Sequence, residues 1–450
     1  MANSITRADQ NTYRPDTRTT PENYTTLGSL ISPTKPDNRE ILVRTYGDQG
    51  LTGFIELTGA KKNVATADEV TWWEEGRLHK TFAYTALTSA ATGVLSGTNL
   101  HTALRLNDVL LLHDGQRVVI TALTGASNIA VKSLTGSNTS VINSGTYNGA
   151  VIGNIYAQGT NQPATFYQTS VTSRTNPLFI TKEVFIVNGS QATNIGWVNV
   201  DGSYLWYHKN EMDARKRFMN QREMMMVFGQ KVSSGTIALE TGSVPGTEGY
   251  FQAVETRGIV ADVSGGAQGT FASMSDMDQI ILELDKEGAP SEYAMYVDRR
   301  TSLDVDDMIA NGIATQVTAG LPGQFGAFNN DANMAIQLGF KSFTRGGYTF
   351  HKHDWNMLND ATISGLNTSG PTYKGALIPM TNVADAKTGE RSPALEMNYK
   401  GAGNYNRDVE HFITGSILGH ATDGTDVARF NYRSECNLVT RAANQHVVLK

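Results

Sequence analysis

Residues 204–228 read YLWYHKNEMDARKRFMNQREMMMVF, a stretch without Pro or Gly in a chain that holds 44 Gly. Leu205, Met212, Met219 and Met226 recur in it at every seventh position. This spacing predicts one apolar stripe along a helix, which would pack on a sheet of its own subunit. At 1.5 Å per residue, a helix of this length extends about 37 Å.

Both ends of this predicted helix carry capping signals. Asp201 and Ser203 offer N-capping oxygens, and Gly229 stands where a left-handed residue ends many helices. The surface outside the stripe is predicted to carry alternating charges, namely Lys209, Glu211, Asp213, Arg215, Lys216, Arg217, Arg222 and Glu223. Arg215, Lys216 and Arg217 form a basic cluster that we expect to face outward.

The composition describes a globular chain with few charges. Its 450 residues are 40% hydrophobic and 18% charged, and at about 150 residues per domain they suggest two to four compact units. The net charge of −6 argues against a dedicated nucleic-acid binder. A lone cysteine, Cys436, excludes an intramolecular disulfide and fits synthesis in a reducing cytoplasm. The first 30 residues lack a signal-peptide core, and no apolar run is long enough to span a membrane.

The segment 1–45 is polar and contains several prolines, so it is predicted to be a disordered tail or an arm that lies on another subunit. Residues 41–58 then predict short strands joined at Gly turns. Two more strands are predicted in 163–187, on the return toward the long helix.

An aromatic and charged cluster follows the first strands. Within 68–85 stand Trp72, Trp73, Glu74, Glu75 and Arg77. Paired carboxylates near a histidine are compatible with general acid–base chemistry. The favoured interpretation is an extended hairpin that anchors its aromatic rings in a neighbouring chain, since Trp and Arg dominate packed contacts between chains.

Residues 86–158 are almost free of charge and alternate with the strand period, which predicts a small all-β module inserted into the surrounding unit. Asp114-Gly115 predicts a two-residue hairpin turn between apolar runs.

A helix, strand, helix pattern from residue 273 predicts a separate α/β unit after a surface loop. Ser275 with Asp278 suggests a capping box at its start. The segment 405–450 reads mostly as strand, and we expect it to rejoin the unit that contains the long helix.

No catalytic constellation is present in the sequence. His351 and His353 would share one face of a strand and hold a cation, but an exposed edge strand accounts for them better. The glycine-rich segment 264–269 does not match a dinucleotide-binding pattern. We therefore predict no catalytic residue, cofactor or metal.

Three segments carry a family resemblance: WWEEGRLH at 72–79, ARKRFMNQREMMMVFG at 214–229 and DVARFNYRSECNLVTRAANQHVVLK at 426–450. With the order of arm, hairpin with insert, long helix and α/β unit, they resemble the major capsid protein of tailed double-stranded-DNA bacteriophages, of the Hong Kong 97-type fold. The insert resembles small β modules of phage structural proteins, although Asn107-Asp108 stands where Gly-Asp is usual.

This resemblance implies an α+β fold whose parts would be an N-terminal arm (1–45), an extended E-loop (46–85 and 159–190) with the inserted β module (86–158), a peripheral domain (191–265 and 401–450) with its spine helix (204–228), and an axial domain (266–400). It also implies hexamers and pentamers that form an icosahedral shell around packaged DNA in the virion. Scaffold, portal and decoration proteins are the implied further partners, and the host bacterial cytoplasm is the implied site of synthesis.

Three other classes remain open at this point. They are another phage structural protein, such as a tail-tube or decoration protein, an encapsulin-like compartment shell, and a hydrolase that uses the acidic and histidine residues of 68–79.

Overall fold

The computed structural model describes residues 61–79, 81–85, 92–125, 127–136, 146–193, 195–200, 203–240, 242–264, 266, 270–318, 341–359, 372–380, 383–384, 391–417, 419 and 421–450. The chain divides into two compact units, Trp72–Arg174 and a second unit formed by the residues before and after it. The predicted arm (1–45) and the strands predicted in 41–58 lie outside the described residues and stay predictions.

The fold is mixed α+β, as predicted. Its helices are α1 Leu100–Ala103, α2 Gly189–Ala192, α3 Trp206–Phe228, α4 Tyr250–Arg257, α5 Met274–Lys286, α6 Arg299–Thr318 and α7 Asn356–Asn359, with a 3₁₀ turn at Ala443–Gln445. None of the described helices is long and apolar enough to cross a membrane.

The strands in chain order are β1 Lys61–Ala65, β2 Glu69–Glu75, β3 Thr81–Tyr84, β4 Thr92–Ser96, β5 Asp108–Leu111, β6 Arg117–Thr124, β7 Asn128–Ser133, β8 Tyr147–Asn154, β9 Val171–Pro177, β10 Phe179–Asn188, β11 Ile195–Val200, β12 Ser203–Leu205, β13 Ile237–Leu239, β14 Gly242–Val244, β15 Ile259–Ala261, β16 Glu292–Val297, β17 Ser342–Arg345, β18 Tyr348–Asp354, β19 Gly375–Pro379, β20 Val383–Ala384, β21 Arg391–Ser392, β22 Leu395–Ala402, β23 Tyr405–Asn406, β24 Glu410–Gly415, β25 Val427–Thr440 and β26 Val447–Leu449.

The Trp72–Arg174 unit is built on one antiparallel sheet with strand order β3-β8-β5-β6-β7-β4. Its core contains Tyr84, Leu110 and Val131, which are fully buried. The unit is wider than the predicted insert of 86–158, because β3 precedes that range and pairs with β8. An alternating apolar pattern locates strands well, but it does not show which earlier strand closes the sheet.

Two turns of this unit explain residues that stood out in the sequence. The predicted turn at Asp114-Gly115 does join β5 to β6, but Leu112 pairs with Gln116 and leaves a three-residue loop. Gly115 takes the left-handed position there, with φ of 84°. Asn107 is also left-handed, with φ of 67°, and Asn tolerates this conformation better than other non-glycine residues.

The second unit contains two large sheets, and the first has the order β1-β22-β25-β10, with β24 also paired to β25. Helix α3 covers one face of this sheet. Phe218 packs with Phe185, Phe430 and Tyr432 in the core between them, and the Phe218 and Tyr432 ring centroids are 5.9 Å apart. The prediction that the late strands return to the unit of the long helix is correct for β25.

The long helix begins at Trp206, two residues after the predicted start, because Leu205 is the last residue of β12. Ser203 also lies in β12 and not at the helix cap, while Asp201 is outside the described residues. The 23 residues of α3 extend about 35 Å.

The predicted apolar stripe of α3 is wrong at two of its positions. Met212 and Met219 are 58% and 40% exposed, whereas Met226 is buried. The buried line runs instead through Ala214, Phe218 and Arg222. Spacings of four and of seven residues both keep side chains near one face of a helix, so the sequence pattern alone allowed either line. The partners available on β10 and β25 decide which one is buried.

Gly229 follows α3 for a different reason from the one predicted, since it is not among the described residues with positive φ. A Cβ atom at this position would lie 2.4 Å from the Met225 carbonyl oxygen and 3.0 Å from the Thr247 backbone oxygen. The returning chain is hydrogen-bonded there, with Gly249 N donating to Gly229 O over 2.9 Å. The glycine therefore permits a close approach of two backbones.

The second sheet has the order β15-β26-β19-β16-β18-β17, with α5 and α6 packed against it through Met277, Leu284 and Met308. The capping box of α5 is formed by Ser273 and Asp276, two residues before the predicted pair. Asp278 instead forms an ion pair with Arg345.

The last strand corrects one expectation about the 405–450 segment. Strand β26 does not join the sheet beneath α3 but pairs with β15 and β19 in the second sheet. Strand β22, which was placed in the predicted axial unit of 266–400, pairs with β25 in the first sheet. Strands that follow one another in the chain therefore alternate between the two sheets. Both sheets belong to one compact unit.

Candidate assembly surfaces

Strands β2 and β9 form a two-stranded ribbon. Side chains of β2 alternate in exposure along the strand, as expected when successive residues point to opposite faces. Trp73 is 69% exposed, whereas its neighbour Trp72 is 7% exposed. Trp73 and Glu75 share the exposed side, which we call the ribbon face.

On the opposite side of the ribbon, the polar side chains form their hydrogen bonds and ion pairs within the chain. The Trp72 indole Nε1 donates to the Glu74 Oε1 atom over 3.0 Å, and the Glu74 Oε2 atom lies 3.4 Å from the Arg174 Nε atom. Of the five residues predicted as subunit contacts, Trp72 and Glu74 thus have a structural role in their own subunit. Trp73, Glu75 and Arg77 are exposed, and their contact with another subunit stays a prediction.

The predicted catalytic alternative for 68–79 finds no geometric support in these contacts. Glu74 is engaged by Trp72 and Arg174, and His79 is exposed. A general base needs a neighbour that orients it and a cavity that admits a substrate. No such arrangement involves the described residues of this segment.

Helix α3 has a second exposed surface, which we call the helix stripe and which consists of Met212, Arg215 and Met219. Arg215 is exposed and has no ion-pair partner among the residues that the structure describes. Arg217 also points outward, but its Nη1 atom lies 3.6 Å from the Glu183 Oε1 atom. Lys216 is half-buried. The predicted basic cluster is therefore not uniform, since Arg215 and Arg217 are exposed and Lys216 is half-buried.

Arg222 was predicted to lie on the charged surface, but it is buried. It forms an ion pair with Asp408, and its Nη2 atom lies 3.5 Å from the Met397 sulfur. The long stem of an Arg packs readily along apolar surface while its head pairs with a carboxylate. A signal was present in the sequence, because Arg222 follows Ala214 and Phe218 at intervals of four residues.

His351 and His353 lie in a strand, β18, as predicted. The prediction of an edge strand is wrong, because β18 pairs with β16 on one side and β17 on the other. His353 stacks on Tyr296, with 5.3 Å between ring centroids, and the intervening Lys352 pairs with Asp306 at 2.6 Å. No group of three or more metal-ligating side chains occurs within the described ranges. Of the glycine-rich segment 264–269, only Ser264 and Gly266 are described.

Neither a family model nor a curated protein matches the sequence. Solved structures that the chain is similar to include "Microbacterium phage Oxtober96", at 8% identity and a TM-score of 0.40 over 94% of this chain and 96% of that chain. "Capsid structure of the Cyanophage P-SCSP1u" follows, at 11% identity and a TM-score of 0.37 over 95% and 98%. An encapsulin complex from Synechococcus elongatus has 10% identity and a TM-score of 0.33 over 63% of this chain and 77% of that chain.

Proposed function

We propose that this chain is a structural protein that assembles with copies of itself into a closed shell, as the major capsid protein of a tailed double-stranded-DNA phage. The proposal makes α3 the spine helix of a Hong Kong 97-type fold and the ribbon the stem of its E-loop. The sheet under α3 then belongs to the peripheral domain and the sheet with α5 and α6 to the axial domain.

The exposed ribbon is the observation that carries this proposal. A two-stranded ribbon is marginally stable in water by itself, and a tryptophan exposed to 69% adds a large apolar surface to it. Large exposed apolar groups on a soluble protein mark contact surfaces, and Trp is the residue type most enriched at the centre of such contacts. A second chain that covers this face would stabilise the two-stranded ribbon and would also remove the Trp73 side chain from water.

The described residues also favour a structural role over an enzymatic one. Their buried polar groups are used to join elements of the fold, as in the pair of Arg222 with Asp408. The low charge fraction of 18% suits a protein with large contacts to its own copies, since the cores of such contacts are depleted in charge. Within the proposal, DNA, scaffold, portal and decoration proteins are further partners.

Negative-stain microscopy and sedimentation of the purified protein test the proposal. We expect hexameric rings or closed shells from the wild type, while Trp73→Ala should remain a folded subunit that sediments slowly. Leu282→Ala is the matched control, because Leu282 is a comparably exposed apolar residue of α5. Tubes would instead indicate a tail-tube protein, and small particles under all assembly conditions would refute self-assembly.

A further inference from the structure

We propose that the Trp72–Arg174 unit binds acidic polysaccharide in a polar cleft, so that an assembled particle adheres to surfaces that carry such polymers. The cleft has a volume of about 450 Å³ and lies between the β5–β6 turn, at 114–117, and the end of β7, at 133–135. This role goes beyond shell formation, and only the multiplication of the contact over many copies rests on the proposed self-assembly.

The Trp72–Arg174 unit supports its own fold and not that of the second unit. It has a hydrophobic core of its own, and the three core clusters of the second unit contain no residue of 77–169. A unit that adds nothing to the other cores acts through its own surface, and the cleft is the concave part of that surface.

The two walls of the cleft are held together by hydrogen bonds. Leu134 N donates to Arg117 O over 3.1 Å, which joins the start of β6 to the end of β7. The hydroxyl oxygens of Ser133 and Thr135 lie 2.8 Å apart, and Ser133 is buried. These bonds fix the positions of the polar groups before a ligand arrives, so less ordering is needed when it binds.

The β5–β6 turn brings a second pair of fixed polar groups to the cleft. Gln116 Nε2 donates to Asp114 Oδ2 over 2.9 Å, which orients both planar side chains. Gly115, between them, has open space around the position of a Cβ atom, with no atom within 4 Å. A ligand can therefore approach the backbone of the turn closely.

The lining matches a polymer of sugar acids. Arg117 is exposed and has no ion-pair partner among the residues that the structure describes. A guanidinium group binds a carboxylate through two parallel hydrogen bonds. The carboxylate of Asp114, the amide of Gln116 and the two hydroxyls of the other wall accept from or donate to sugar hydroxyls. A sugar acid carries both kinds of group, a carboxylate and hydroxyls, within one ring.

Nucleic acid and acidic polypeptide fit the cleft less well. A phosphate would also pair with Arg117, but this is the only cationic side chain that lines the cleft, and the carboxylate of Asp114 beside it repels a second anion. Binding through phosphate neutralisation needs several cations. An acidic polypeptide has carboxylates but no hydroxyls for the wall of Ser133 and Thr135.

Many copies compensate for the weakness of one such contact. An open, polar cleft competes with water for each hydrogen bond, so a single copy binds weakly. A particle that repeats the cleft on every subunit holds a long polymer at several points, which raises its apparent affinity by about 10²–10⁴.

Binding to coated beads tests the inference. Assembled particles and unassembled subunits are each incubated with beads that carry polygalacturonate, and bound protein is measured over a range of protein concentrations. Beads with dextran present neutral sugar, and beads with polyglutamate present carboxylates without sugar hydroxyls. We expect binding to polygalacturonate alone, release by free trigalacturonate, and an apparent Kd about a hundredfold lower for particles than for subunits.

Three variants separate the cleft from general charge attraction. Arg117→Gln should weaken binding about tenfold, and Thr135→Val, which changes no charge, about threefold. Lys132→Gln is the matched control, because Lys132 is an exposed cation of β7 that does not line the cleft, and it should bind as the wild type does. Unchanged far-ultraviolet circular dichroism shows that the variants are folded.

The outcomes separate this inference from the proposed function. Equal losses for Arg117→Gln and Lys132→Gln, or equal binding to polyglutamate, would show general charge attraction and overturn the site. Equal binding to dextran would overturn the acidic class of ligand, and subunits that bind while particles do not would overturn the adhesive role. Normal shells without binding would refute the inference and leave the proposed function intact. A wild type that never assembles would remove that function, while binding of its subunits would still test the cleft.

Discussion

Replacing Asp408 with Ala would test whether buried Arg222 depends on its single carboxylate partner. The side chain of Arg222 is 5% exposed and that of Asp408 is 23% exposed. The Nε atom of Arg222 has no hydrogen-bond partner among the described residues. The substitution therefore leaves the buried guanidinium group without a carboxylate. The site still holds the Met397 thioether, but its described residues offer Nε no hydrogen-bond acceptor.

The expected loss follows from the burial of the two groups. Removing one partner of a fully buried pair costs about 3–5 kcal/mol. Because Asp408 is partly exposed and water reaches this end of the pair, we expect about 2–3 kcal/mol. Arg222→Met removes the charge and keeps most of the apolar volume, and the remaining carboxylate still lies 3.9 Å from the Lys62 Nζ atom. That variant should lose less than about 1.5 kcal/mol.

Urea unfolding of the unassembled subunit, followed by circular dichroism, gives the three free energies of a double-mutant cycle. The Arg222→Met/Asp408→Ala chain should be more stable than Asp408→Ala alone, because it holds no unpaired buried charge. Lys286→Met is the control, since its ion pair with Glu283 is exposed and contributes at most about 0.5 kcal/mol. Equal losses for Arg222→Met and Asp408→Ala, or strictly additive losses in the double variant, would refute the reasoning.

Four further results are expected. Burial lowers the pKa of His446 to about 3, so the unfolded state binds a proton before the folded state does as the pH falls below about 6.5. The free energy of unfolding should therefore drop by about 2 kcal/mol between pH 6.5 and pH 5. In urea titrations at several pH values, His446→Gln should reduce this dependence on pH. Asn176→Leu should cost about 2–4 kcal/mol, because its amide donates to Leu438 O and accepts from Glu248 N; a thermal melt close to wild type would contradict this. Gly229→Ala should destabilise by at least about 2 kcal/mol through backbone overlap, while Gly424→Ala, which meets no atom within 4 Å, should be neutral in the same melts. Replacing 77–169 with a short Gly-Ser linker should leave the second unit folded, since its three core clusters contain no residue of that range; loss of its cooperative transition would show that the small unit is required.

Met219→Asp illustrates how the structure changes an expectation from the sequence. With Met219 in a buried stripe, an aspartate there would abolish folding. With Met219 exposed to 40%, the same substitution should leave the subunit folded and weaken its assembly. Circular dichroism and sedimentation of this one variant distinguish the two cases.

The sequence predicted the positions of helices and strands more reliably than it predicted which of their side chains are buried. The absence of Pro and Gly over 204–228 placed α3 within two residues of its observed start, and strand-like alternation placed β18 around His351. The capping signals of α3 did not contribute, because Ser203 lies in β12 and Gly229 does not have a positive φ. Burial on α3 depends on which residues of β10 and β25 oppose it, and these lie far away in sequence. Arg222 shows the limit most clearly, because its carboxylate partner is 186 positions away.

Connections between sheets were the other feature beyond sequence reasoning. The strand character of 447–449 was evident, but three apolar residues fit the edge of either sheet equally well. Their pairing with Ile259–Ala261 depends on the direction in which the chain leaves the 3₁₀ turn at Ala443–Gln445. The ribbon residues are an intermediate case, since Trp72 and Trp73 are alike in sequence and only the strand alternation decides which one is exposed.

The reactivity of the Cys436 thiol can be used to measure how often the protein opens around it. Its thiol is buried in β25, where Cys436 is paired with Phe179 on one side and Tyr399 on the other, and burial raises its pKa. Its side chain points out of the sheet face into a core that also contains Met226 and Val227 of α3, so a thiol reagent reaches it only when this core opens. The rate of modification, compared with that of a free cysteine, therefore measures the free energy of opening this core without denaturant. The same measurement on assembled particles would show how far contacts between copies protect the interior of each one.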